Sequence, residues 1–156
     1  MDRFDAAILE QLQRNGRTTA EQMADKVGLS AAACQKRMRA LRRSGRIVQD
    51  VAILAPALAA QRLTLILNVT LYGESRAKLA AFADRMRSVD EVMQCYRTTG
   101  AAHFLLLVTV ADMEAFDCFC EHHLHHRGDI ERLVTSVVRE RVKTGFFQPV
   151  SAESTL

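Results

Sequence analysis

Between Gln35 and Arg46 the chain places one carboxamide and six basic side chains, Lys36, Arg37, Arg39, Arg42, Arg43 and Arg46, with no acidic residue among them. Such a set can bind a polyanion. A glutamine makes a two-point hydrogen bond to adenine, Lys36 and Arg39 can reach guanine or phosphate, and Arg42, Arg43 and Arg46 suit phosphates further along a nucleic-acid backbone. Ser30, just upstream, is a good N-cap, and with the first helix amides it can also take a phosphate. Arg37 is ambiguous, since it can equally pair with an acid within its own unit.

A second cluster, EHHLHHRGD from Glu121 to Asp129, sets His122 three and four residues before His125 and His126. On a helix both spacings can chelate a metal. Imidazoles near a helix C-terminus equally suit its dipole, and a structural zinc site wants four ligands, so no metal ligand and no cofactor is assigned. Cys34, Cys95, Cys118 and Cys120 show no CxxC spacing and read as reduced apolar residues.

For the basic residues to act together they must share one face of a helix that another helix holds in place. Phe4, Ile8 and Leu12 recur at steps of four and predict a helix from Asp5 to Asn15, ended by Asn15-Gly16. Thr19 with Gln22 fits a capping box that starts a second helix with Met23, Ala24 and Val27 inward. Gly28 suits a left-handed turn, Leu29 can tuck between helices, and Ser30 caps a third helix whose buried stripe is Cys34, Met38 and Leu41. The pattern is helix, tight turn, helix, with the basic residues on the face left over. A lone basic run is usually a solvated surface. Here it follows a capped helix and a glycine-centred turn, which favours a helix-turn-helix reading the major groove.

The charge distribution agrees. Residues 1 to 62 hold eleven Lys and Arg against six Asp and Glu, whereas residues 63 to 156 hold ten against twelve, so the net +3 conceals a basic N-terminal third. Apolar residues make up 49% of the chain and charged ones 25%, enough for a core and without a long apolar run or leader-like N-terminus. The expectation is a cytoplasmic protein without a membrane partner.

Beyond residue 46 the periodicity changes. Ile47 to Leu54 alternates like a strand, and Pro56 with the following alanines reads as a connector. Arg62 to Leu71, Val92 to Thr99 and His103 to Val110 read as strands, and Ser75 to Ser88 as a helix. Asp112 caps another helix running to Leu124, with Met113, Phe116 and Cys120 inward, and Ile130 to Lys143 reads as a long last strand. The order βαββαβ is ferredoxin-like. The predicted fold class is therefore α+β, an N-terminal winged-helix-like helix-turn-helix domain followed by a C-terminal ferredoxin-like domain. The expected boundaries are 1–46 for DNA binding, 47–61 for linker strand and connector, 62–143 for the βαββαβ domain, and 144–156 for a weakly patterned tail.

At this level of detail the chain resembles the Lrp/AsnC, or feast/famine, transcription regulators. The resemblance is carried by MDRFDAAILEQLQRNGR, VGLSAAACQKRMRALRRSGRI, VMQCYRTTG and VVRERVK, in that order and over nearly the whole chain. It implies an N-terminal DNA-binding helix-turn-helix, a linker strand, and a domain that senses small effectors and assembles dimers, tetramers or octamers. In family members that respond to amino acids, a glycine followed by acidic residues joins the second and third sheet strands, and effectors bind there at subunit interfaces.

Gly100 matches that glycine, but Ala101 and His103 stand where the family often has aspartates. An aspartate partners an α-ammonium group, so three readings stay open. The effector is less cationic or anionic, met by Thr98, Thr99, amides near Gly100 and a protonated His103; or the domain only assembles; or an amino acid is held by other residues. Thr135 and Ser136 match polar positions late in the family's fourth strand and can complete such a pocket.

The function that follows is a sequence-specific DNA-binding regulator, a homo-oligomer on double-stranded DNA, with an amino acid or related metabolite as the effector in those readings that keep one. The rival is a tetrapyrrole enzyme, since siroheme decarboxylases resemble the same two-domain architecture and this chain has five histidines. Such an enzyme has no need of the basic face on the third helix.

Overall fold

The structure, a computed structural model, describes residues 1–54, 62–73, 75–125, 128–145 and 147–150. Two compact units emerge, Met1–Ile53 with the tail from Lys143, and Leu54–Val142.

In the first unit α1 (Arg3–Arg14), α2 (Ala20–Val27) and α3 (Ala31–Arg43) each start at a side-chain cap. Asp2 accepts from the amides of Phe4 and Asp5, and Thr19 and Gln22 close the expected capping box. Gly28 adopts φ 71°, the left-handed geometry that lets the chain turn tightly from α2 towards α3. Ile8, Leu12, Met23, Cys34 and Leu41 form the core, with Val27, Leu29 and Met38 packed against it. Phe4 is half-buried, with the guanidiniums of Arg3 and Arg37 over its ring at 4.8 and 5.6 Å. The tail is fastened to α1: Gln13 donates to the Gln148 carbonyl at 3.0 Å and accepts from its amide at 2.7 Å, and Arg14 sits 4.5 Å over the Phe147 ring.

The alternating segment Ile47 to Leu54 is not a strand. Val48, Val51, Ile53 and Leu54 are exposed, and no strand of the described residues pairs with them, so the backbone groups of this stretch have no ladder to join. The connector around Pro56 lies outside the described residues.

The second unit is β1 (Leu63–Leu71), α4 (Arg76–Arg87), β2 (Val92–Arg97), β3 (Phe104–Val110), α5 (Met113–Phe119) and β4 (Ile130–Val137), with a π-helical turn, Cys120–His125, extending α5. The strands form one antiparallel sheet in the order β2-β3-β1-β4, which is the ferredoxin-like topology. Alternation assigns the faces. Leu65, Leu67, Val69 and Leu71 of β1 and Phe104, Leu106, Val108 and Val110 of β3 are buried with Phe82 and Met86 of α4 and Phe116 and Phe119 of α5. Met113, expected inward, is exposed at the start of α5, and Phe119 joins Phe116 and Cys120 in the core instead.

β4 is shorter than its sequence pattern. It stops at Val137 because its partner β1 begins at Leu63; Val138 makes one last bond to the Thr64 carbonyl, and beyond it no strand of the described residues continues the ladder. Among the described residues no helix is long and apolar enough to cross a membrane.

Candidate functional site

The buried stripe of α3 decides which side chains are presented outward. With Cys34 and Leu41 in the core, Gln35, Lys36, Arg39, Arg42 and Arg43 are exposed, and together with Ala32 they line one open surface hollow. Ser30 caps the helix by accepting from the Ala33 amide at 3.2 Å. Arg46 lies past the C-terminus of α3 and borders a neighbouring depression shared with Lys36, Arg37 and Asp5. The structure thus gathers five of the seven predicted contact residues on one face and sets Ser30 and Arg46 at the two ends of the helix.

Two of the basic residues have partners. Arg37 points back into its own unit, with Nη1 at 2.7 Å from both Asp2 Oδ2 and Asp5 Oδ1. The Asp2 carboxylate is held below its ordinary range, foremost by the Asp5 amide and further by Arg37. Arg42 Nε is 3.1 Å from Asp50 Oδ2, an exposed pair that offsets part of the positive charge on this face. What remains is a cationic, donor-rich surface on a helix anchored from behind, suited to phosphates and base edges.

The second unit carries a different hollow, about 480 Å³, beside the β2–β3 turn. Asn68 and Thr70 of β1, Thr98, Thr99, Ala101 and Ala102 of the turn, and Arg132 and Val134 of β4 line it. Within the turn, Gly100 has φ 112°, a conformation that disfavours any residue with a Cβ. The Thr98 hydroxyl donates to the Ala102 carbonyl at 2.8 Å, and its amide donates to the His103 carbonyl at 3.0 Å.

His103 has a structural duty here. Its Nδ1 accepts the Leu71 amide at 3.0 Å and its own amide donates to the Val69 carbonyl at 2.9 Å, so the neutral ring carries its proton on Nε2. A doubly protonated ring would lose the Leu71 bond, which argues against the expected role as a cationic partner for an anion. Thr135 pairs with Leu67, a core residue, and therefore sits on the helix-bearing side of the sheet. Ser136 pairs with Ile66 on the open side but is not in the lining of the hollow. Sequence reasoning missed Asn68, Thr70, Ala102, Arg132 and Val134. The alternation of Arg132 with Val134 marks them as sharing one side of β4, but only the register Thr70↔Arg132 and Asn68↔Val134 brings them to this turn.

The histidine cluster is less organised than the α-helical spacing implied. His122 and His125 lie on the π-helical turn, which changes the offset of side chains at three and four residues, and His126 lies outside the described residues. The His122 ring nitrogen Nδ1 is 2.8 Å from the Cys118 carbonyl, and the His123 ring packs 5.3 Å from Phe119. Cys34 and Cys120 are buried; burial, the main cause, pushes the Cys120 thiol up to about 11.

Comparison with known proteins adds independent findings. The model of the AsnC-type helix-turn-helix domain matches residues 1–42, and that of the Lrp/AsnC ligand binding domain matches residues 64–146. An uncharacterized HTH-type transcriptional regulator of Sinorhizobium fredii is 41% identical over 150 residues, 96% of this chain and 89% of the relative. The leucine-responsive regulatory protein of Escherichia coli is 30% identical over 143 residues, 92% and 87% of the two chains. Among solved structures, a transcriptional regulator from Neisseria meningitidis in complex with L-Met is similar with a TM-score of 0.84 and 28% identity, covering 100% of this chain and 99% of that one. An AsnC family transcriptional regulator from Agrobacterium tumefaciens gives 0.85 and 29%, covering 96% and 97%.

Proposed function

Since the chain belongs to the Lrp/AsnC family of helix-turn-helix transcription regulators, we propose that residues 1–46 bind double-stranded DNA through α3 while residues 62–143 sense a small metabolite and assemble copies of the chain. Residues 47–61 then serve as connector and 144–156 as tail. The observation that carries the DNA reading is the exposed set Gln35, Lys36, Arg39, Arg42 and Arg43 on a helix whose opposite stripe is buried. In this reading Gln35 contacts base edges, Lys36 and Arg39 contact guanine or phosphate, and Ser30, Arg42, Arg43 and Arg46 contact phosphates.

The effector belongs to the hollow beside the β2–β3 turn, with Thr98, Thr99 and Ala101 in its wall and Gly100 and His103 fixing the turn. The complex of the Neisseria meningitidis regulator with L-Met supports a small-molecule ligand on this architecture. Self-association is supported by the exposed apolar run Val48, Val51, Ile53 and Leu54. One short helix makes few base contacts, so two copies reading half-sites one helical turn apart are needed for specificity. We assign no catalytic role, as the named relatives are regulators and lend the tetrapyrrole-enzyme alternative no support.

Affinity for operator DNA tests this reading. Lys36→Ala and Arg39→Ala each should weaken binding by about 1–3 kcal/mol, more steeply at low salt if the lost contact is to phosphate. Unchanged affinity in both variants would remove α3 as the reading element.

A further inference from the structure

The hollow beside the β2–β3 turn has a charge sign of its own. Among the described residues its wall contains one guanidinium, Arg132, and no carboxylate; Asn68, Thr70, Thr98 and Thr99 add neutral polar groups, and Val134 an apolar side. Arg132 Nη2 donates to the Ala101 carbonyl at 2.6 Å, which fixes the guanidinium against the turn. Its other N–H groups have no hydrogen-bond partner among the described residues and are available to a ligand. A free amino acid brings a carboxylate and an ammonium, and the described wall offers the ammonium no counter-charge. This wall supplies a partner for the carboxylate alone.

Resting on the reading of this hollow as the sensing site, we infer that it takes a small organic acid bearing a carboxylate and no ammonium, an α-keto acid above all, with Arg132 as the specificity-determining residue. The planar guanidinium fork matches a carboxylate through paired hydrogen bonds. The Asn68 amide and the Thr99 hydroxyl supply donors for a keto oxygen. Val134, Ala101 and Ala102 give an aliphatic or aromatic tail an apolar surface, and the volume lies in the range of small-molecule sites.

Calorimetric titration of the full chain with matched pairs tests this: pyruvate against L-alanine, α-ketoisocaproate against L-leucine, phenylpyruvate against L-phenylalanine. At least one keto acid is expected to bind roughly tenfold or more tightly than its amino acid. Arg132→Gln should weaken that binding by roughly tenfold or more with an unchanged unfolding transition, because Arg132 is exposed at the wall and not in the core. Ala101→Asp, which restores an acid to the turn, should shift preference towards the amino acid. Amino acids binding as well as their keto acids, or Arg132→Gln binding like wild type, would overturn the inference while leaving the hollow as a sensing site. Binding of no compound from either class would overturn both the inference and the sensing role.

Discussion

Arg37 of α3 places Nη1 2.7 Å from Asp5 Oδ1 of α1, tying the basic helix to the first helix of its unit on the side away from the exposed basic face. The pair is partly exposed, 32% for the arginine side chain and 19% for the aspartate, so screening limits its strength. A double-mutant cycle with Arg37→Met and Asp5→Asn should give a coupling of up to about 1 kcal/mol in urea unfolding. DNA affinity of Arg37→Met should fall less than that of Arg39→Ala, since Arg37 is already committed within the unit.

Asp2 supplies a pH signature. Its folded-state pKa is depressed, foremost by the Asp5 amide, so it contributes stability above its unfolded value near 3.8 and loses it as the pH falls through the folded value. Asparagine caps a helix about as well as aspartate, so Asp2→Asn removes mainly the charge. The Tm difference between wild type and Asp2→Asn should be constant well above the unfolded value of 3.8 and shrink as the pH falls below it towards the depressed folded value. A difference independent of pH would show that the carboxylate charge is not used.

Asp50 restrains Arg42. Asp50→Asn removes the partner 3.1 Å from Arg42 Nε and takes one negative charge from beside the basic face. Affinity for DNA of any sequence should rise severalfold at low salt, with a steeper salt dependence by about one phosphate contact. Fluorescence anisotropy on random-sequence duplexes across a salt series measures both.

Phe82 anchors the second unit. It is fully buried and its ring centroid lies 4.6 Å from that of Phe104, joining α4 to β3. Phe82→Ala should cost about 3–5 kcal/mol in denaturant unfolding. A loss below about 1 kcal/mol would mean that this core rearranges around the gap.

Much of the first unit was legible because its signals are local. The Thr19–Gln22 box, Gly28, the Ser30 cap and the stripe Cys34, Met38 and Leu41 each act within a few residues, so the exposed basic face followed from sequence alone. Where pairing partners decide the outcome, sequence was a poorer guide. Ile47 to Leu54 alternates as a strand does but finds no partner among the described residues, and the pattern of β4 runs past the end of β1. The hollow was half legible for the same reason: Gly100 marked the turn, while Arg132 reaches it through a register that alternation cannot specify. His103, expected as a charged partner, was a turn-fixing acceptor, because a backbone amide meets its Nδ1.

The central claim, that α3 reads DNA in a sequence-specific way, is tested most directly by footprinting the purified protein on the region upstream of its own coding sequence, with random-sequence competitor at two salt concentrations. A protected segment with dyad symmetry that resists competitor, and that is lost in Lys36→Ala and Arg39→Ala, is the predicted result. Absence of protection at low salt, or protection that competitor erases equally from every sequence, would contradict it.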